Sequence, residues 1–183
     1  MPASRIVAHI DMDAFFASIE ANAHPEWKNS LIIVCVYSGR TPTSGVVSSA
    51  TYDERKLGVK AGMPISHAQE LCPRGHFVSV QHETYSEISQ SIFSKLYECA
   101  DAVEIASIDE AYCEMNQKAK GDFTQAEKLL RAFQEKIKKE FALSCSIGLS
   151  SNKLLAKMAS DWNKPNGFSI IFPEEATQKL DPL

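Results

Sequence analysis

The sequence predicts an α+β protein, one sheet-forming domain with a smaller subdomain inserted into it. Three observations predict this. Short β-branched apolar runs alternate with longer amphipathic segments along all 183 residues. From about residue 76 the pattern reads strand, helix, strand, strand, helix, strand. The stretch from 23 to 81 is richer in turns and short helices than what flanks it. With the first strand added, that order is the ferredoxin-like split βαβ, a sheet with helices on one face.

Arg5 to Asp11 (RIVAHID) reads as a short buried strand that runs into the helical pattern DAFFASIEAN, with Asp13 placed to cap it. Leu31 to Tyr37 (LIIVCVY) is a buried strand by length and β-branching. Ser38 to Gly45 is turn chemistry, Val46 to Ser49 a short strand, and Thr51 to Leu57 a helix stopped by Gly58. A helix starts near Pro64 and stops before Pro73. His76 to Val80 is a strand, followed by one long helix from about Glu83 to Ala100. Val103 to Ile108 and Ala111 to Met115 are strands joined at Asp109-Glu110. Phe123 to Phe141 is amphipathic, with Ala126, Leu129, Leu130, Phe133 and Ile137 expected to be buried. A strand (144–149), a helix (152–161), a KPNG turn (164–167), a strand (168–172) and a helix starting at Glu174 complete the chain.

Apolar residues at 44% and charged residues at 23% fit a globular protein and exclude disorder. The apolar run from Leu31 to Val36 falls short of the roughly 20 residues of a membrane helix. A cytoplasmic protein without a membrane partner is expected. The net charge of −4 does not announce a nucleic-acid binder. Between Lys120 and Lys164, however, nine basic residues face five acidic ones. The five cysteines lack zinc-site spacing and read as reduced apolar thiols, and the five histidines form no ligand pattern.

Two acidic spots each end an apolar strand: Asp11-Met12-Asp13 and Asp109-Glu110. A carboxylate beside a buried sheet is costly unless it is paired or bound to a cation. If the two strands are neighbours, Asp11, Asp109 and Glu110 converge, and divalent cations relieve their repulsion. Taken singly, Asp13 reads rather as a helix cap and Asp109-Glu110 rather as an ordinary hairpin turn. A DxD pair after a strand also opens haloacid-dehalogenase-like phosphatases, although Ala14-Phe15-Phe16 is not the small pair that usually follows there.

DMDAFFASIE, YSGRTPTSGVVSSATYDERKLGVKAGMP, VEIASIDEAY and SIGLSSNKLLAKMASDWNKPNG together resemble the Y-family (DinB-like) translesion DNA polymerases, the archaeal branch above all. The likeness covers nearly the whole chain, in the family's order and spacing. It implies a palm over 1–22 and 82–172, a fingers subdomain over 23–81, and the start of a thumb over 173–183. It implies template-directed, low-fidelity synthesis on primer-template DNA from dNTPs. Asp11, Asp109 and Glu110, with the Met12 carbonyl, would hold two Mg²⁺ ions, for which Mn²⁺ could substitute.

By the same resemblance Ser49, Tyr52, Arg55 and Lys164 contact the triphosphate, and Phe15 and Phe16 lie beside the sugar, Phe16 as the gate against a 2′-hydroxyl. Without the resemblance, Phe15 and Phe16 read as core packing, Tyr52 and Arg55 as a surface tyrosine with a salt bridge, and Lys164 as a turn lysine. Ala14, Thr51 and Gln81-His82-Glu83 depart from the family's usual residues. The family also carries a complete thumb and a little-finger domain, so a monomeric palm-and-fingers fragment is expected, recruited by a sliding clamp through a C-terminal region. A nucleotide cyclase, a phosphatase and a nucleotide-binding module without turnover are the other readings.

Overall fold

The computed structural model describes residues 5–27, 30–52 and 56–176. In chain order its elements are β1 (Val7–Met12), α1 (Phe15–Ala23), β2 (Ile32–Tyr37), β3 (Gly45–Ala50), α2 (Ile65–Leu71), β4 (His76–Ser79), α3 (His82–Ser94) and α4 (Leu96–Cys99). They continue with β5 (Ala102–Ile105), β6 (Glu110–Glu114), α5 (Phe123–Phe141), β7 (Cys145–Ser150), α6 (Lys153–Trp162) and β8 (Phe168–Ile170). The chain divides into two compact units, one of Met1–Asp13 with Ser86–Leu183, the other of Ala14–Tyr85.

The first unit is built on a five-stranded sheet in the order β5-β6-β1-β7-β8. Its first four strands pair antiparallel, and β8 joins β7 in parallel. Strand β1 is central and β7 is buried along its whole length, as their apolar runs require. Helix α5 begins where the Asp122 carboxylate accepts the amide hydrogen of Thr124 at 2.8 Å, and it ends in Lys138 and Lys139, charges that suit its C-terminal dipole. Helix α6 begins similarly on Asn152, which accepts from the Leu155 amide at 3.0 Å. It packs closely on β1 and β7. Gly148 on β7 makes this approach possible, because a Cβ there would overlap the Ala156 carbonyl oxygen and the Ser160 amide.

The second unit has a three-stranded sheet, β3-β2-β4, with β3 antiparallel and β4 parallel to β2. Ile33, Cys35, Val47, Ala50, Val59, Ile65, Ala68 and Cys72 form its core. Helix α1 packs against β2 and β3, within the unit that begins at Ala14.

Other departures have local causes. The cap position of α1 falls to Ala14, in the left-handed region at φ 44°, rather than to Asp13. The Asp13 carboxylate instead accepts from Ser146 Oγ and the Asn166 amide, each at 2.7 Å. The long helix expected over 83–100 breaks at Lys95. There the hydroxyls of Ser91 and Ser94 donate to the Glu87 and Ser91 carbonyls, and the Lys95 amide bonds back only three residues, to Ile92. Strand β5 stops at Ile105, because the Ala106 and Ser107 amides both turn on to the Glu110 carbonyl. Part of the helix expected over 51–57, including Arg55, and the last residues of the expected C-terminal helix lie outside the described residues. All five cysteines are free thiols. Among the described residues, no helix is long and apolar enough to cross a membrane.

Candidate active site

The antiparallel register of β1 and β6 sets Asp11 directly opposite Glu110. The next pairing along is made by backbone: the Met12 amide donates to the Asp109 carbonyl at 2.9 Å. Sheet register therefore sets Asp11 at the same strand end as the adjacent Asp109 and Glu110, almost a hundred residues further along the sequence. The Asp109 carboxylate accepts from Ser107 Oγ at 2.6 Å.

Each of the other two carboxylates is met by a lysine from α6 or just beyond it. Lys157 donates to both Glu110 oxygens, at 2.7 and 2.6 Å. Lys164 donates to Asp11 Oδ2 at 2.5 Å and reaches Asp161 Oδ1 at 2.8 Å. Burial pushes Asp11 up to about 6, and the Lys164 ammonium offsets only part of that cost. For Glu110, burial acts upward too, but the bonds from Lys157 outweigh it and hold the carboxyl below its usual range. Lys164 is burdened by burial yet driven upward by its two carboxylate partners.

Behind the carboxylates lies His9, whose side chain is 0% exposed. Its Nδ1 is 2.8 Å from Ser160 Oγ, and that hydroxyl donates to the Lys157 carbonyl. Nε2 has no hydrogen-bond partner and stands 3.6 Å from Glu110 Oε2. Burial lowers His9 to about 4, so the ring is neutral.

Asp11 and His9 make opposing contributions to stability. Asp11, raised from 3.8 to about 6, contributes stability that is present below its unfolded value and lost as pH rises through 6. His9, lowered from 6.5 to about 4, contributes stability that is present above 6.5 and lost as pH falls through 4. Asp11→Asn removes the first contribution and leaves the second. The metal-free variant should therefore lose stability more steeply than wild type as pH falls from 6.5 to 4. Urea denaturation at a series of pH values checks this, and parallel curves would contradict it.

Phe15, Phe16, Ser49 and Tyr52 belong to the other unit. Phe15 is buried in the core, and Phe16 is half-buried with its ring stacked on Tyr85 at 4.3 Å. Tyr85 is itself pinned through its hydroxyl to Glu20 at 2.5 Å. Ser49 lies on β3, beside a cavity of about 350 Å³ lined by Ser48, Ala50, Val59, Lys60 and Ala61. Tyr52 is half-buried.

Sequence reasoning missed Lys157, Ser160, Asp161 and His9. One signal was available: Lys157, Asp161 and Lys164 recur at helical spacing, which marks one polar face. The pairing of that face with the acidic strand ends was not visible without the sheet register.

The donor set suits hard divalent cations: three carboxylates, one of them buried and incompletely compensated, and no sulfur. Among the described residues, no three acidic, histidine or cysteine groups are gathered tightly enough to hold one ion as they stand. Asp11 and Glu110 are turned on to lysines, and a cation would have to draw them away.

A family model described as the impB/mucB/samB family matches residues 10–161. The chain is 42% identical over 178 residues to the DNA polymerase IV of Saccharolobus solfataricus, covering 97% of this chain and 50% of the relative. It is 40% identical over 185 residues to that of Methanosarcina acetivorans, covering 98% of this chain and 50% of the relative. Among solved structures, it matches DinB from Sulfolobus solfataricus with a TM-score of 0.90 at 40% identity, over 96% of this chain and 50% of that one. The insertion ternary complex of Dbh DNA polymerase gives 0.92 at 42% identity, over 97% of this chain and 52% of that one.

By fold this is an α+β chain that matches solved DNA polymerase structures. More narrowly, the chain belongs to the impB/mucB/samB family, the Y-family of DNA polymerases. It spans about half the length of the curated relatives it matches.

Proposed function

We propose that this chain is the catalytic core of a template-directed, low-fidelity translesion DNA polymerase that adds dNTPs to a primer 3′-hydroxyl. The observation that carries the reading is the pairing of Asp11 with Glu110 across β1 and β6, with Asp109 tied to the same strand end. Residues 1–22 and 82–172 serve as a palm of the ferredoxin-like split βαβ kind, residues 23–81 serve as fingers, and residues 173–183 open a thumb. Asp11, Asp109, Glu110 and the Met12 carbonyl would hold two Mg²⁺ ions, or Mn²⁺ in their place. Such ions, when bound, acidify the hydroxyl and neutralise the departing pyrophosphate.

The chain's own residues do the rest. Lys164, already beside Asp11, supplies a compact positive charge to phosphate oxygens, and Arg55 a forked one. Tyr52 and Ser49 add hydroxyl donors to the triphosphate. Phe15, fixed in the core, backs Phe16 at a ring distance of 5.8 Å. Phe16, held by Tyr85, closes the space a 2′-hydroxyl needs. The working protein is a cytoplasmic monomer recruited by a sliding clamp through a more C-terminal region.

Primer extension at low salt tests the reading. Products should follow the templating base and require Mg²⁺, whereas phosphate release from simple monoesters without extension would favour the phosphatase reading. Phe16→Ala should raise ribonucleotide incorporation by on the order of tenfold or more, the scale of losing one steric contact in a pocket. An unchanged sugar preference would remove Phe16 from the gate.

A further inference from the structure

Helix α5 buries an apolar stripe of Ala126, Leu130, Phe133 and Ile137, yet the amide of Gln134 is buried with them. A buried amide needs hydrogen-bond partners, and the partners indicate its use. Gln134 Nε2 donates to the Cys145 carbonyl at 2.8 Å and to the Gly167 carbonyl at 3.1 Å. Both partners are acceptors, so the nitrogen has to be the atom that faces them. Cys145 opens β7, and Gly167 closes the turn that begins at Lys164. A second buried pair spans the same two segments. The Asp13 carboxylate takes the hydroxyl hydrogen of Ser146, on β7, and the amide hydrogen of Asn166, in the turn. Ser146 Oγ in turn accepts the Gly167 amide at 3.3 Å.

We infer that Gln134, Ser146 and Asp13 are positioning residues for Lys164: they clamp the 164–167 turn to the first residues of β7 and so fix where the lysine's backbone stands beside the site. The inference rests on the reading that Lys164 contacts the triphosphate. Three features support it. A lysine stem is four flexible carbons long, so its ammonium is placed only as well as its backbone is held. Gly167 is held at both its polar groups: its amide meets Ser146, and its carbonyl accepts from Gln134 and from the Ile147 amide at 3.0 Å. The anchor is also the right one, because Ser146 is the register partner of Asp11 across β1 and β7. The clamp thus measures the position of the turn from the strand pair that carries Asp11. Pro165 and Asn166 are exposed on the turn, so its fastening comes from these buried groups.

The test is titration of the 183-residue chain with dATP and Mg²⁺, read by calorimetry in single and double variants. Lys164→Ala should raise the Kd by roughly tenfold or more, the scale of losing a hydrogen bond to a charged group. Gln134→Leu and Ser146→Ala should each raise it by roughly fivefold, within what misplacing one binding group can cost. Ser146→Ala deletes a single oxygen and carries the test if Gln134→Leu does not fold. On a Lys164→Ala background either substitution should add less than about twofold, because groups that act through one lysine do not add. In primer extension the two variants should raise the KM for dATP and leave kcat within about twofold of wild type, as expected when uniform binding is lost. Wild-type affinity in either folded variant would overturn the clamp alone, as would a fall in kcat at unchanged KM. A loss repeated in full on the Lys164→Ala background would mean general loosening and would also overturn it. A Lys164→Ala chain that binds dATP as wild type does, or a wild-type chain that binds none, would overturn the triphosphate reading and the clamp together.

Discussion

Asp11→Asn and Glu110→Gln should each lower Mg²⁺-dependent primer extension by on the order of 10³-fold, about 4 kcal/mol of transition-state stabilisation. Both substitutions keep the side chain's shape and remove its charge. Their folds should survive, because the lysines keep acceptors: Lys164 retains Asp161 and an amide oxygen, and Lys157 retains an amide oxygen. What is lost is the anionic ligand, and a hard cation binds an amide oxygen far more weakly than a carboxylate. Loss of extension in variants that remain folded and unfold cooperatively at the assay pH would assign the effect to chemistry. Extension within tenfold of wild type in both variants would remove these carboxylates from the reaction.

Gly148→Val should cost about 3 kcal/mol or more, at the upper end of overpacking effects. The argument is steric. Helix α6 lies so close to β7 that even one carbon at position 148 would meet the backbone of Ala156 and Ser160, and backbone cannot rotate aside. The helix must lift, and Lys157 and Ser160 ride on it. The variant should therefore show a lowered denaturation midpoint together with an altered site. A stable Gly148→Val protein would mean that α6 does not rest on β7 as described.

Much of the fold was readable from residue patterns, and the reasons are specific. Helix α5 was legible at both ends because its apolar stripe is unbroken and Asp122 precedes it as a cap. Strands β2 and β7 were legible because buried strands leave continuous apolar runs. The break at Lys95 was not legible, since it depends on two serine rotamers turned back on the helix. At the candidate site, Asp11, Asp109 and Glu110 were singled out because carboxylates that end apolar strands are conspicuous, and the family resemblance then gave them expected roles. Lys157 and His9 were not found, because a lysine on an amphipathic helix and a histidine in an apolar strand look ordinary until strand register sets both beside Glu110.

The central claim is that three carboxylates gathered by the β1–β6 pairing share divalent cations with a nucleotide's phosphates. Anomalous scattering from a crystal soaked with Mn²⁺ and a dNTP tests it most directly. The account predicts two manganese peaks about 3.5–4 Å apart, between Asp11, Asp109, Glu110 and the triphosphate. Nucleotide bound with manganese elsewhere, and Lys157 still on Glu110, would contradict it.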